Sequence, residues 1–307
     1  MRSSASQPKV QRQKRTEKLI ITGASRAFGP SLLALLGSLT LNWPHHPPVL
    51  VYDLGMDEET LAVLQENRIE VRKVPAFVPH WRRHFTWKIW CWNDAPARDV
   101  LWLDAGVVVL QPVDELFDVI ARIGYFINPT YYLLSDTATE AACVGCGVEP
   151  EFRNHKMTFA GGVVGFRKEG IFADILSWAL QIASVEEYIQ STIPLGRHDQ
   201  AILSLLIYKH IPNPIMLDAM IYAGWSSPCQ VHGQKIWVHR RALLADDMEH
   251  FKRHVSLPGE PYIPADPSSQ KRTLLARARQ ALKKPIFALL RSRFSASKSK
   301  IYDGVRD

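Results

Sequence analysis

A chain of 307 residues that is 47% hydrophobic and 22% charged can bury a full core as one large domain or two small ones, which excludes a disordered or fibrous protein. The formal charge of +7 resides at the ends: residues 1–18 carry six Lys/Arg against one Glu, residues 267–302 carry ten Lys/Arg and no acid, and residues 19–266 are left at −7. An acidic body argues against a basic nucleic-acid groove on the folded domain, so nucleic acid is not an expected partner, while the basic ends suit an anionic surface.

In chain order the apolar pattern alternates strand and helix. Residues 19–22 read as a strand, 30–41 as a helix, 49–52 as a strand, 58–67 as a helix and 70–74 as a strand. The leucine-rich 28–41 falls short of the ~20 apolar residues a membrane span requires and follows a strand and a Gly/Ser turn, so it reads as a buried helix and not as a signal peptide. Residues 87–94 look helical, 100–110 form the central strand, 113–123 a helix behind Pro112, and 124–127 a short strand. The stretch 134–158, with two cysteines among Gly, Thr and Glu, reads as a long loop. A strand over 159–167, helices over 171–183 and 200–209, and a β-rich stretch through Trp237 complete the pattern, with no internal repeat. The alternation predicts an α/β sandwich on a mostly parallel sheet over residues 19–250, with a basic tail over 1–18 and a linker and basic tail over 251–307.

The run VLWLDAGVVVL over 100–110 is broken by one carboxylate, Asp104, followed by Ala105 and Gly106. Such a run suits a strand covered on both faces, where an unmet charge costs on the order of several kcal/mol. Ligands of parallel sheets gather at the carboxyl ends of the strands, which makes Asp104 the leading site residue. The competing reading, an Asp closing a strand-ending turn, fits poorly because the apolar run continues after Gly106.

The first loop, Ile20-Ile21-Thr22-Gly23-Ala24-Ser25-Arg26-Ala27-Phe28-Gly29, is similar to the nucleotide turn of short-chain dehydrogenases, with Asp53 placed to hold a ribose. A Gly-rich strand-to-helix turn binds phosphate through backbone N–H groups, so Thr22, Gly23, Ala24, Ser25 and Asp53 are candidate nucleotide-binding residues. An NAD(P) dehydrogenase is disfavoured: Ala27 replaces the middle glycine and no Tyr stands four residues before a Lys, which leaves hydride chemistry without its acid–base group. Cys91, Cys143, Cys146 and Cys229 are too few for a disulfide framework, so a reducing, cytoplasmic compartment is expected. Cys143 and Cys146 have the spacing of half a zinc site, and a Gly-containing surface loop is the preferred reading.

Four motifs then fall in one order: VLWLDAGVVV around Asp104, Thr158-Phe159-Ala160-Gly161-Gly162-Val163-Val164-Gly165-Phe166, His198-Asp199-Gln200 ahead of Ala201-Ile202-Leu203, and Val231-His232-Gly233-Gln234-Lys235-Ile236-Trp237. Over residues 19–240 they resemble the nucleotide-sugar glycosyltransferases of the GT-A fold, in the pattern of retaining family eight and of bacterial relatives with an LDAG variant of the Asp-x-Asp motif. The resemblance implies a GT-A-like α/β/α sandwich and a sugar transfer from a nucleotide-sugar donor, a UDP-sugar, to a hydroxyl of a glycan or glycolipid. It also implies a divalent Mn²⁺ or Mg²⁺ held by Asp104 and His232, with Gly106 standing where the second Asp of the motif is expected. Gly161 and Gly162 would let backbone approach the donor sugar, Asp199 and Gln200 would serve the reaction, and Lys88 and Lys235 would bind the donor together with Ala105 and Gly106.

Breaking an anomeric carbon–phosphate bond leaves negative charge on a diphosphate, which a metal or Lys/Arg must meet. With the second Asp missing, either the metal has fewer protein ligands or Lys88, Lys235 and Arg240 do the neutralising, and His239 competes with His232 as ligand. The plain alternatives are a solvated helix charge for Lys88, a surface position for either His, and a helix cap for Asp199. Arg197 and His198 add charge at the same helix start, and Trp81, Trp87, Trp90, Trp92 and Trp225 are candidates for stacking on a sugar. A non-catalytic sugar-nucleotide binding protein with a degenerate metal site is the rival reading that Gly106 favours.

In the last segment Leu274, Leu275, Ala278, Ala281, Leu282, Ile286, Leu289 and Leu290 recur at helical spacing among Arg277, Lys283, Lys284 and Arg291, with Pro285 dividing them. Similar basic tails in bacterial lipopolysaccharide glycosyltransferases of the resembling family attach the enzyme to the inner face of the membrane. A peripheral location there is therefore expected, against a disordered solubilising or RNA-binding end.

Overall fold

The computed structural model describes residues 17–194, 196–224 and 232–238. Every described residue lies in one unit, Met1–Leu244. The basic tails, Trp225, Cys229, His239, Arg240 and Arg241 fall outside the described residues, apart from positions 17 and 18.

Four parallel strands build the centre: β1 (Lys18–Ala24), β2 (Val49–Asp53), β3 (Glu70–Lys73) and β4 (Asp99–Leu103). They are joined through α1 (Gly29–Asn42), α2 (Glu58–Glu66) and α3 (Thr86–Asp94). After β5 (Val107–Val109) and α4 (Asp114–Ile123), the short β6 (Tyr125–Phe126) and the later β9 (Val163–Arg167) complete the sheet in the order β3-β2-β1-β4-β9-β6. Strand β9 runs antiparallel to both β4 and β6, so the sheet is mixed but mostly parallel.

Period-two alternation divides the strand residues between two cores. Ile20, Val51, Leu101, Leu103 and Val163 pack with Leu32, Leu35 and Leu39 of α1 and Phe117 and Ile120 of α4. Ile21, Leu50, Tyr52, Trp102 and Val164 pack on the other face with Ile89 and Trp92 of α3, and with α7 (Ile171–Ala183) and α9 (His198–His210). A sheet covered on both faces accounts for the near-continuous apolar run of β4. Its one buried charge at the entry, Asp99, accepts from Arg167 Nε at 2.7 Å and Arg167 Nη2 at 3.1 Å.

Three expectations need correcting. Residues 100–110 are two strands in different sheets: β4 pairs with β1 and β9, whereas β5 pairs with β10 (Ile236–Val238). The turn that fitted poorly is present, because Val107 N donates to Asp104 O at 3.0 Å. The apolar pattern runs through it since Val107 and Val109 are buried against α1. Residues 159–167 likewise split, into β8 (Met157–Phe159), which pairs with β7 (Pro129–Leu133), and β9, with Ala160, Gly161 and Gly162 between. The expected loop over 134–158 contains α5 (Leu134–Thr137), α6 (Glu140–Cys146) and a 3₁₀ turn at Pro150–Arg153. Thr139 caps α6 by accepting from Ala142 N at 3.1 Å, and Gly147 ends it at φ 63°. Cys143 and Cys146 therefore sit one helical turn apart, free and buried, and not on a surface loop. The single-turn helices α8 (Glu186–Ile189) and α10 (Ala219–Tyr222) lie in segments without helical periodicity.

Candidate active site

The chain lays β2 and β3 on one side of β1 and then returns to lay β4 on the other. The carboxyl ends of β1 and β4 thus flank the point where the connections reverse, the usual place for a ligand crevice in an open α/β sheet. A cavity of about 550 Å³ opens there, reached by Gly23, Ala24 and Ser25 after β1 and by Asp104, Ala105 and Gly106 after β4.

Lys88 organises its floor. Helix α3 carries the side chain under the sheet edge, where it is only 3% exposed. Its Nζ lies 2.7 Å from Asp104 Oδ1 and 3.6 Å from Asp199 Oδ2, donates to Gly161 O at 3.3 Å, and stands 5.4 Å above the Trp102 ring. Burial acts to lower the Lys88 pKa, but the Asp104 and Asp199 carboxylates outweigh it and hold the ammonium above the ordinary lysine value. Lys88 is thus no solvated helix charge. Trp102 Nε1 donates to the same Asp104 Oδ1 at 2.7 Å, and Asp104 N to Gly162 O at 2.8 Å.

Asp199 is not the cap of α9. The helix begins at His198 behind Arg197, which makes no side-chain cap bond, so Asp199 lies inside the first turn with its side chain buried. Burial raises its carboxyl above the ordinary aspartate range despite the Lys88 charge, and Oδ2 has no hydrogen-bond partner among the described residues. The two glycines make the convergence possible. A Cβ at Gly161 would stand 2.9 Å from Gln200 Cγ and 3.1 Å from Asp199 Oδ2, and one at Gly162 3.2 Å from Asp104 Oδ2.

One wall of the cavity is strained. His84 and Phe85 both adopt φ 57°, in the left-handed region that costs non-glycine residues on the order of 1–3 kcal/mol. Arg83 O holds the turn by accepting from Thr86 N at 3.1 Å and Thr86 Oγ1 at 2.9 Å. The Phe85 ring is left 48% exposed beside Trp87 on the cavity lining.

Of the residues singled out in the sequence, Gly23, Ala24, Ser25, Lys88, Asp104, Ala105, Gly106, Gly161, Gly162 and Gln200 line the cavity, and Asp199 reaches its floor through Lys88. Four others lie outside the lining. Thr22 is buried within β1, and Asp53 Oδ1 accepts from Gly55 N and Met56 N, both at 2.7 Å, to close the turn after β2. Lys235 pairs with Glu115, and His232 is exposed in the turn before β10. Among the described residues Trp87 is the one stacking candidate that lines the cavity, whereas Trp92 is fully buried. Arg82, Phe85 and Thr130 line it without having been foreseen. The segment 75–85 has no period, so nothing in the sequence assigned its residues to an element.

A divalent cation fits the described residues poorly. Asp104 Oδ1 is already taken by an ammonium and an indole N–H, Gly106 supplies no side-chain oxygen, and no group of three His, Cys, Asp or Glu is placed to hold a metal among the described residues.

No protein-family profile matches this chain, and no curated protein does. Solved structures similar to it include galactosyltransferase LgtC in complex with donor and acceptor sugar analogs, at 16% identity over 78% of this chain and 98% of that one, TM-score 0.48. They include the WbbM bifunctional glycosyltransferase in its apo form, at 14% identity over 71% of this chain and 40% of that one, TM-score 0.48. Apo mouse xyloside xylosyltransferase 1 is similar at 12% identity over 74% and 98% of the two chains, TM-score 0.46.

Proposed function

We propose that this chain is a glycosyltransferase that moves a sugar from a nucleotide-sugar donor, a UDP-sugar, to a hydroxyl of a glycan or glycolipid. One observation carries the reading. Three motifs far apart in sequence, around Asp104, Gly161 and Asp199, meet within 3.6 Å of one buried ammonium at the carboxyl edge of the sheet.

The residues divide the work as follows. The Gly23-Ala24-Ser25 turn receives the nucleotide, and the bare backbone at Gly161 and Gly162 admits the donor sugar beside Asp104. Asp199, with a carboxylate oxygen left without a donor, accepts from a sugar hydroxyl or holds a proton at that oxygen. Gln200 presents its amide to the anomeric region from the cavity wall. The basic tail over 267–302 brings the enzyme to an anionic membrane surface on the cytoplasmic side, where glycolipid acceptors are embedded.

A non-catalytic sugar-nucleotide binding protein is the second reading, favoured by Gly106 in place of an acidic residue. A thermal-shift screen with UDP-, GDP- and CMP-sugars and NAD(P), each with and without Mn²⁺, tests the donor class, because a ligand that prefers the native state raises apparent stability. A UDP-sugar should give the largest shift; a shift with NAD(P) alone would sink the proposal. Release of UDP in the presence of glycan acceptors then separates the transferase from the binding protein.

A further inference from the structure

We infer that the donor diphosphate is held here without a divalent cation, its charge met by Arg197 and Arg82 while Lys88 occupies the remaining acidic residue of the motif. The inference rests on the nucleotide-sugar reading and concerns how that site meets phosphate.

One oxygen of the acidic residue that would carry a metal is already engaged by the protein. Asp104 Oδ1 receives Lys88 Nζ at 2.7 Å and Trp102 Nε1 at 2.7 Å. A dication on Asp104 would have to expel a buried ammonium or sit against it, and like charges at such range repel strongly where water is excluded. Gly106 supplies no second carboxylate, and the other carboxylate near Lys88, Asp199, is itself buried.

Positive charge is available from elsewhere. Two guanidinium groups line the cavity, and among the described residues neither has a carboxylate partner. Arg197 lies 4.7 Å above the Tyr132 ring and Arg82 4.7 Å above the Trp81 ring, which fixes each plane and leaves its N–H edges to a ligand. Arg197 Nε is buried and makes no hydrogen bond among the described residues, a donor left for a group that enters the cavity. A planar, permanently charged fork suits two phosphate oxygens at once.

The test uses the full chain and titrates UDP, GDP, ADP and the matching nucleosides by calorimetry, in EDTA and in Mn²⁺. Affinity for the preferred diphosphate should agree within about threefold between the two conditions, and the protein alone should not deplete the electron paramagnetic resonance signal of free Mn²⁺. Arg197→Gln and Arg82→Gln should each weaken the diphosphate at least tenfold (~1.4 kcal/mol) and leave the nucleoside unchanged, a split that a merely unfolded variant would not give. Diphosphate binding that vanishes in EDTA and returns with Mn²⁺ would overturn the inference and leave the nucleotide-sugar reading intact. Unchanged diphosphate affinity in both arginine variants would overturn it equally. Failure of every nucleoside diphosphate under both conditions would remove the nucleotide-sugar reading itself, and this inference with it.

Discussion

Among the described residues the ammonium of Lys88 is the one cationic group within 4 Å of Asp104 and of Asp199, so the two carboxylates share one counter-charge. Lys88→Met keeps the length of the side chain and removes that charge, and a buried carboxylate without its partner destabilises by about 3–5 kcal/mol. Urea melts at neutral pH should show a loss near the lower end, since Asp104 is partly exposed, and the deficit should shrink in acid as the freed carboxyl groups take up protons. An equal stability of variant and wild type would remove Lys88 from its organising place. Asp199→Asn has the opposite sign. The folded-state pKa of Asp199 is raised, first by burial, so the charged form weakens the native state above that pKa and the penalty fades as pH falls through it. The Asn variant should be as stable as wild type or more so at neutral pH, with the advantage disappearing in acid, yet lose at least tenfold in transfer rate, about 1.4 kcal/mol. Full activity would reduce Asp199 to structure.

At the scale of elements, α4, β6 and β9 meet where β9 has no side chain. A Cβ on Gly165 would come within 2.7 Å of Ile120 Cδ1 and closer still to the Phe126 ring, so Gly165→Ala overpacks that junction. A loss of about 1–3 kcal/mol is expected, read as a lower Tm with a native-like circular dichroism spectrum. A neutral result would mean that β6, only two residues long, yields easily. The alternation of strands and helices was legible because β1, β2, β4 and α1 carry continuous apolar signals that few alternatives fit. The breaks inside 100–110 and 159–167 were not. Hydrophobic periodicity reports burial, and Ala105, Val107 and Val163 are as buried beyond each turn as the strand residues before it. The site was legible where chemistry conflicted with its surroundings, as with Asp104 in its apolar run and the paired glycines at 161 and 162. Arg82 and Phe85 were hidden because a left-handed turn before α3, formed without glycine, leaves no mark on composition.

Across the whole molecule, charge is segregated: the segment 267–302 carries +10 and the body −7. Each Lys/Arg near an anionic bilayer is worth about 1 kcal/mol before screening. Removal of residues 267–307 should leave a folded protein that binds nucleotide sugar but no longer sediments with anionic liposomes, and binding of the full chain should weaken as salt rises. Unfolding of the truncated protein would instead make the tail part of a core, and equal indifference of both forms to liposomes would end the membrane reading. The pairing of β5 with β10 has a consequence for the chain as it is made. Every strand of the main sheet has been synthesised by Arg167, while β5 waits for Ile236–Val238, and Val238 forms part of the cavity wall. A nascent chain can thus bury most of its sheet and still lack a finished cavity wall, with Val107–Val109 left as an open edge on which another chain could pair. Synthesis that stalls before Ile236–Val238 would yield a body with most of its sheet in place, an incomplete cavity and a tendency to aggregate.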